Sequence, residues 1–189
     1  MTNTRFAEVS AALTHASHLP LNLNSPYLIK NWIAPGTLAV LYGPPNVGKS
    51  FLALNLAHAI ATGLPWAGER TTKSICIYAA LEGAQSFARR IHAIGDGSIW
   101  VISLPMTFAS RNSIDTMALI HAVGTLQPRH GPPGLIVIDT LARAMVGADE
   151  NSGLDMGILI HQMDQIRKVT GAAVLLVHHS GKNRELGAR

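Results

Sequence analysis

The stretch from Gly43 to Ser50 constrains this chain most, because it fits the spacing G-x-x-x-x-G-K-S/T at every defined position. In that pattern the glycines let the backbone curl, so that several N–H groups point inward and can hold phosphate oxygens. Lys49 would reach the β- and γ-phosphates, and the Ser50 hydroxyl would bind Mg²⁺. The residues predicted to surround a nucleotide are Gly43, Pro44, Pro45, Asn46, Val47, Gly48, Lys49, Ser50 and Phe51.

The segments on either side of the motif decide whether it is a phosphate-binding loop or a chance glycine-rich turn. Residues 38–42 are an apolar run suited to a buried parallel strand. Residues 50–61 are rich in helix formers and are followed by Gly63 and Pro65, which would end a helix. Such a helix directs the positive end of its dipole at the phosphates. The sequence therefore predicts a strand, a phosphate-binding loop and a helix in succession.

The composition favours one folded domain. Of the 189 residues, 48% are hydrophobic and only 14% are charged, which is low against the roughly 25% charged residues of an average domain. No apolar run approaches the roughly 18 residues of a membrane span and no secretory signal is visible, so we expect a cytoplasmic protein without a membrane partner. The single cysteine, Cys76, is expected to be a packed core thiol. A net charge of +4 is compatible with nucleic-acid binding but does not establish it.

Apolar segments alternate with helical patterns along the rest of the chain. Further strands are predicted at 74–80, 99–104, 135–139 and 172–177, and further helices at 84–94, 112–126 and 153–169. Strands that are apolar on both faces are typical of an α/β fold, with a parallel sheet covered by helices on both sides. We expect residues 25–189 to form this domain. Residues 1–24 would be an N-terminal arm or leader, with Phe6, Val9 and Leu13 on one face of a short helix.

Two acidic residues follow predicted strands, at the edge of the sheet where ligands of parallel sheets bind. Asp139 follows the apolar residues 135–138, so its carboxylate would orient the Mg²⁺ shell beside Ser50, or would instead cap the next helix. Glu82 follows the second strand, where a carboxylate could polarise the attacking water, or could only favour the next helix through its dipole. No acid directly follows Asp139, so a general base must come from elsewhere in the chain, and Glu82 is the candidate.

Other polar residues near the strand ends have more than one possible use. Thr140 could hold a metal-bound water, and Arg143 could face phosphate or pair with the acidic loop at 149–152. His178 and His179 end the last strand, where one ring could contact the γ-phosphate and sense hydrolysis. A metal site is the rival use, but no Cys or acid at metal-ligand spacing lies beside them. We favour His178 as the sensor, because it continues the apolar strand.

Taken in order, these motifs resemble the RecA-type ATPases, and within them the AAA_25 group, which includes the RepA-type hexameric replicative helicases of plasmids. The resemblance covers residues 25–189 and rests on the phosphate loop, Glu82, Asp139 to Leu141, the 149–152 loop and His178 to Lys182. It implies the strand order 3-2-4-5-1, with the last strand between the phosphate loop and Asp139. It also implies ATP and Mg²⁺ bound between the subunits of a homo-oligomeric ring, such as a hexamer, with single-stranded DNA in the central channel.

The resemblance implies a DNA-dependent ATPase that serves replication or unwinding on a plasmid, phage or mobile element. Lys49, Glu82 and His178 would be its catalytic residues, and Ser50 and Asp139 would hold the metal. Two other functions remain open. One is a RecA-type ATPase with a regulatory or recombination role, and the other is a nucleotide-gated assembly module that binds ATP with little turnover.

The C-terminal end departs from the family pattern. Members of the family continue with further strands that flank the first strand and supply basic residues to a neighbouring site, whereas this sequence stops at Arg189. Either the sequence is a fragment or the protein is shortened, and if it is shortened, we expect the strand at 38–42 to be an exposed sheet edge. An arginine finger and helicase activity would depend on the missing strands, whereas nucleotide binding would not. Lys182, Arg184 and Arg189 could reach a neighbour's nucleotide, contact nucleic-acid phosphates or form a solvated tail.

Overall fold

The computed structural model describes residues 2–20, 25–82, 84–95 and 97–180, and within them one parallel five-stranded sheet. The strands are β1 (Leu38–Gly43), β2 (Ile75–Ala80), β3 (Ile99–Ile102), β4 (Pro133–Asp139) and β5 (Ala173–His179). Their order is β1-β5-β4-β2-β3. Read from the β3 edge, this is the order 3-2-4-5-1 that the family resemblance implies. The predicted α/β class is confirmed, and β5 lies between the phosphate-loop strand and the strand of Asp139.

Among the described residues, one α-helix precedes the first strand, and the others lie between successive strands. The helices are α1 (Thr2–Ala12), α2 (Lys49–Thr62), α3 (Ala84–Ile94), α4 (Ile114–His130), α5 (Leu141–Ala144) and α6 (Gly153–Thr170), with a 3₁₀ turn at Ala16–His18. Ser113 caps α4, its side chain accepting the N–H of Thr116. The predicted end of α4 at residue 126 is wrong, because the helix stops only where the Gly131 N–H bonds to the Gln127 carbonyl. Helix α5 was not predicted, because it has only four residues and so short a helix shows no hydrophobic periodicity.

An apolar core covers each face of the sheet. Helices α2 and α3 pack on one face, against strand residues such as Val137 and Val177. Helices α4, α5 and α6 pack on the other face, against residues such as Ile138 and Leu176. Side chains of a strand alternate between the two faces, so the α2 face of β4 and β5 ends in Asp139 and His179. The packing thus brings one polar residue from each strand to the phosphate-loop side.

Other expectations about the chain can be placed on this fold. Strand β1 pairs with β5 and lies at an edge of the sheet that the structure describes, with Val40 52% exposed. Cys76 is buried in the core, and burial raises the pKa of its thiol to about 12. No helix in the described ranges is both long enough and apolar enough to cross a membrane. Lys182, Arg184 and Arg189 lie outside the described residues.

Candidate nucleotide-binding site

The phosphate loop joins β1 to α2, as the sequence predicts. Asn46 has a φ of 63° and Gly48 a φ of 92°, so the backbone turns through left-handed conformations at both residues. Glycine adopts such a conformation without steric cost, and asparagine tolerates it better than most residues do. Gly48 is also the N-cap of α2, so the loop wraps around the positive end of that helix.

Lys49 is held within the loop. The residue is 5% exposed, and its Nζ donates to the carbonyls of Gly43 at 2.8 Å and Pro44 at 2.5 Å. Burial lowers the pKa of Lys49, and the negative charge of Asp139 opposes that shift. An ammonium group has three N–H bonds, so one remains for an anionic ligand. Lys49 is thus a cation fixed at the loop, and its predicted contact with the β- and γ-phosphates stays a prediction.

Asp139 lies at the end of β4 and is 7% exposed. One carboxylate oxygen, Oδ2, accepts a hydrogen bond of 2.6 Å from the hydroxyl of Tyr78. The other, Oδ1, is buried without a hydrogen-bond partner among the described residues. Buried acceptors nearly always have a partner, so Oδ1 is free to accept from a water or to bind a cation. Together with the Ser50 hydroxyl it makes an oxygen donor set that suits Mg²⁺, so the residues present fit that ion.

A cavity of about 780 Å³ lies over the loop. It falls within the roughly 300–1,000 Å³ of typical small-molecule sites. Its walls are formed by Pro45, Asn46, Gly48, Lys49, Ser50, Phe51, Ala80, Glu82, Phe87, Arg90, Asp139 and His179. Of the residues predicted for the site, Gly43, Pro44, Val47 and His178 are not in these walls. The predicted general base and the predicted metal ligands thus share one cavity.

Glu82 is held by two donors from the segment after β4. The Thr140 hydroxyl and the Nε of Arg143 donate to the same oxygen, Oε1, at 3.2 Å and 3.1 Å. Neither partner was predicted, because the sequence left open whether Arg143 faces phosphate or pairs with the acidic loop at 149–152, and the structure pairs it with Glu82. In that loop Asp149 accepts from Asn151 instead. The Glu82 side chain is 46% exposed, so this carboxylate is accessible to water.

The two histidines point to opposite faces of β5. His179 lines the cavity, whereas the ring of His178 packs beside that of Tyr42, with 5.3 Å between centroids. Burial lowers the pKa of His178, Glu150 opposes that shift, and His179 and Lys49 add to it. The assignment of His178 as sensor stays a prediction, and the geometry favours His179. Among the described residues no three or more His, Cys, Asp or Glu side chains group to hold a metal.

Several residues of the site were not predicted from the sequence. The sequence predicted a helix at 84–94, which holds Phe87 and Arg90, but it assigned neither residue to the site. In the structure the Arg90 guanidinium lies 4.5 Å from the centre of the Phe51 ring, at the cavity wall. Helical periodicity shows which residues share a face, but it does not show which turn of α3 reaches the phosphate loop.

Comparison with known proteins supports this arrangement. Among solved structures, the chain is similar to the KaiC-like protein PH0186 from the hyperthermophilic archaeon Pyrococcus horikoshii OT3, with a TM-score of 0.57. The likeness covers 82% of this chain and 70% of that chain at 18% identity, which shows a shared RecA-like fold. A model of the AAA domain family AAA_25 matches residues 9–185, nearly the whole chain. The chain therefore belongs to the AAA_25 family and is a RecA-like P-loop ATPase core.

Proposed function

We propose that this chain binds and hydrolyses ATP as the motor core of a DNA helicase or replication ATPase of a plasmid, phage or mobile element. One observation supports the proposal that the chain hydrolyses ATP. A cation (Lys49), a buried carboxylate with an unpartnered oxygen (Asp139) and a water-accessible carboxylate (Glu82) line the same cavity, at the N-terminus of α2. Family membership supports the same activity.

Each residue has a role that follows from its surroundings. The loop backbone and Lys49 bind the β- and γ-phosphates, and Ser50 and Asp139 hold Mg²⁺. When bound, Mg²⁺ neutralises charge on the phosphate oxygens. Glu82 accepts a proton from the attacking water through Oε2, because Oε1 is already occupied by Thr140 and Arg143. The base is thereby oriented without being buried.

A histidine at the end of β5 senses the γ-phosphate in this proposal. The sequence favours His178, and the position of His179 in the cavity wall supports His179 instead. Residues 25–189 form the ATPase unit, and residues 1–24 form an arm. The subunits form a homo-oligomeric ring, such as a hexamer, with ATP between them and single-stranded DNA in the channel. The resemblance to RepA-type helicases supports the ring and the DNA, and the exposure of Glu82 supports closure of the site by a neighbour.

The test is ATP turnover with and without single-stranded DNA, with strand separation measured on a tailed duplex. We expect turnover that DNA stimulates, that Lys49→Ala abolishes and that Lys73→Ala retains, because Lys73 is an exposed lysine outside the cavity walls. Stimulated turnover without strand separation would favour a regulatory or recombination ATPase. ATP binding without turnover would favour the assembly module and contradict the proposal.

A further inference from the structure

We infer that Tyr78 is a positioning residue that orients Asp139 toward Mg²⁺. The inference rests on the proposed function, since it concerns the metal that Asp139 would hold. Tyr78 is 0% exposed and stands on the α2 face of β2, in the same core as the phosphate-loop helix. Its hydroxyl donates to Asp139 Oδ2 at 2.6 Å, which is short and typical of a bond to a charged acceptor.

The hydroxyl of Tyr78 lies between the two residues proposed to hold the metal. It is 3.4 Å from the backbone carbonyl of Ser50, as well as 2.6 Å from Asp139. A phenol has one proton to donate, so the shorter contact takes it and the longer one is weak. The neutral phenol of Tyr78 therefore serves Asp139 Oδ2 as a hydrogen-bond donor.

This bond determines which oxygen of Asp139 is available. A carboxylate turns broadly about its last torsion, and the Tyr78 bond restricts that motion by holding Oδ2. Oδ1 is then the oxygen left buried and unpartnered at the cavity. Without the hydroxyl, we expect the carboxylate to turn and present Oδ1 less often.

The position of the Tyr78 ring does not depend on its hydroxyl. Its backbone pairs with Val137, two residues before Asp139, so the β2–β4 register brings the two side chains together. The ring packs against Phe87 with 4.4 Å between centroids. Tyr78→Phe keeps these contacts and removes one oxygen atom, so it tests the hydrogen bond with little change to the core.

The experiment measures binding of a fluorescent ATP analogue as Mg²⁺ is titrated. For Tyr78→Phe we expect an affinity in EDTA close to that of the parent chain, and a Mg²⁺ midpoint raised about tenfold. Excess Mg²⁺ should restore the binding. Cys76→Ala is the matched control, because Cys76 is fully buried on the same face of the same strand and its Sγ donates to the Ala57 carbonyl. Cys76→Ala should lower the melting temperature and leave the Mg²⁺ midpoint unchanged.

A double-mutant cycle with Asp139→Asn decides between positioning and a general loss of stability. If Tyr78 acts through Asp139, adding Tyr78→Phe to Asp139→Asn should not shift the Mg²⁺ midpoint further. Additive shifts, or an unshifted midpoint in Tyr78→Phe alone, would overturn the inference while leaving the proposed function intact. An unshifted midpoint in Asp139→Asn would overturn both. If Tyr78→Phe alone fails to fold, recovery of folding in the double variant would support the coupling, and failure there as well would overturn it.

Discussion

The two carboxylates of the cavity are held in opposite ways. Asp139 is 7% exposed and is bonded by Tyr78, which is 0% exposed. The Glu82 side chain is 46% exposed, and that of its ion-pair partner Arg143 is 60% exposed. The proposed metal-binding side of the site therefore lies inside the core of the chain, and the proposed water-activating side lies at its surface.

This difference has a physical consequence. Hydrogen bonds and charges inside a protein are weakly screened and keep a fixed geometry. An exposed ion pair is screened by salt, and a typical one contributes only about 0–1 kcal/mol. We therefore expect one chain to form the proposed nucleotide- and metal-binding half by itself, and we expect the geometry of Glu82 to depend on what covers the cavity. Binding and turnover should therefore be separable by mutation.

The largest separation is expected from Glu82→Gln. The amide has the shape of the carboxylate but cannot take the proton from water, so turnover should fall about 10²–10⁴-fold. ATP affinity should change little, because the phosphate-binding residues are untouched. Steady-state turnover and equilibrium binding of ATP measure the two effects. Glu69→Gln is the control, because Glu69 is an acid outside the cavity walls that accepts a hydrogen bond from Asn31. Unchanged turnover in Glu82→Gln would remove this residue from its role.

A smaller effect is expected from Arg143→Gln. Losing one of two donors to Glu82 Oε1 should misplace the base and lower kcat about tenfold, with the KM for ATP unchanged. The melting temperature should stay within about 2 °C, since the pair is exposed. Arg5→Gln breaks the comparably exposed Arg5–Glu8 pair, far from the site in sequence, and serves as the control. A rise in kcat would show that Arg143 hinders Glu82 and does not position it for catalysis.

The sequence could predict features formed by neighbouring residues, but not contacts between residues far apart in the chain. The phosphate loop, its strand and its helix are written in consecutive residues, and all three are where they were predicted. The partners of the two carboxylates are not local, because Tyr78 and Asp139 are 61 positions apart and so are Glu82 and Arg143. Both contacts depend on the pairing of β2 with β4, which residue patterns within one strand do not reveal.

The histidine pair shows a different limit. Alternation along β5 places the two rings on opposite faces of the sheet, but it does not show which ring faces the cavity. The choice depends on which face α2 covers, and the apolar run in β5 gives no sign of it, because that strand is buried on both faces. Knowing that Val177 packs on the α2 side is enough to assign His179 to the cavity.

The smallest predicted effect concerns His178 and pH. Burial lowers the pKa of His178 in the folded chain below the roughly 6.5 of an unfolded histidine. Between those two pKa values the unfolded chain binds more protons, so the stability that the neutral ring contributes is lost as the pH falls below about 6.5. Between pH 7.5 and 5.5, the melting temperature should fall about 1–3 °C less in His178→Asn than in the parent chain. An equal fall would show that this ring does not titrate on unfolding.

The same variant sharpens the contrast between the two faces of β5. Because His178 packs beside Tyr42 and is absent from the cavity walls, His178→Asn should leave ATP turnover close to that of the parent chain. His179→Asn is the matched change one residue further along the strand, and it should lower turnover more. If His178→Asn instead abolished turnover while His179→Asn did not, the sensor would be the residue that the sequence favours. His178 would then act on the nucleotide from the opposite face of the sheet, without lining the cavity.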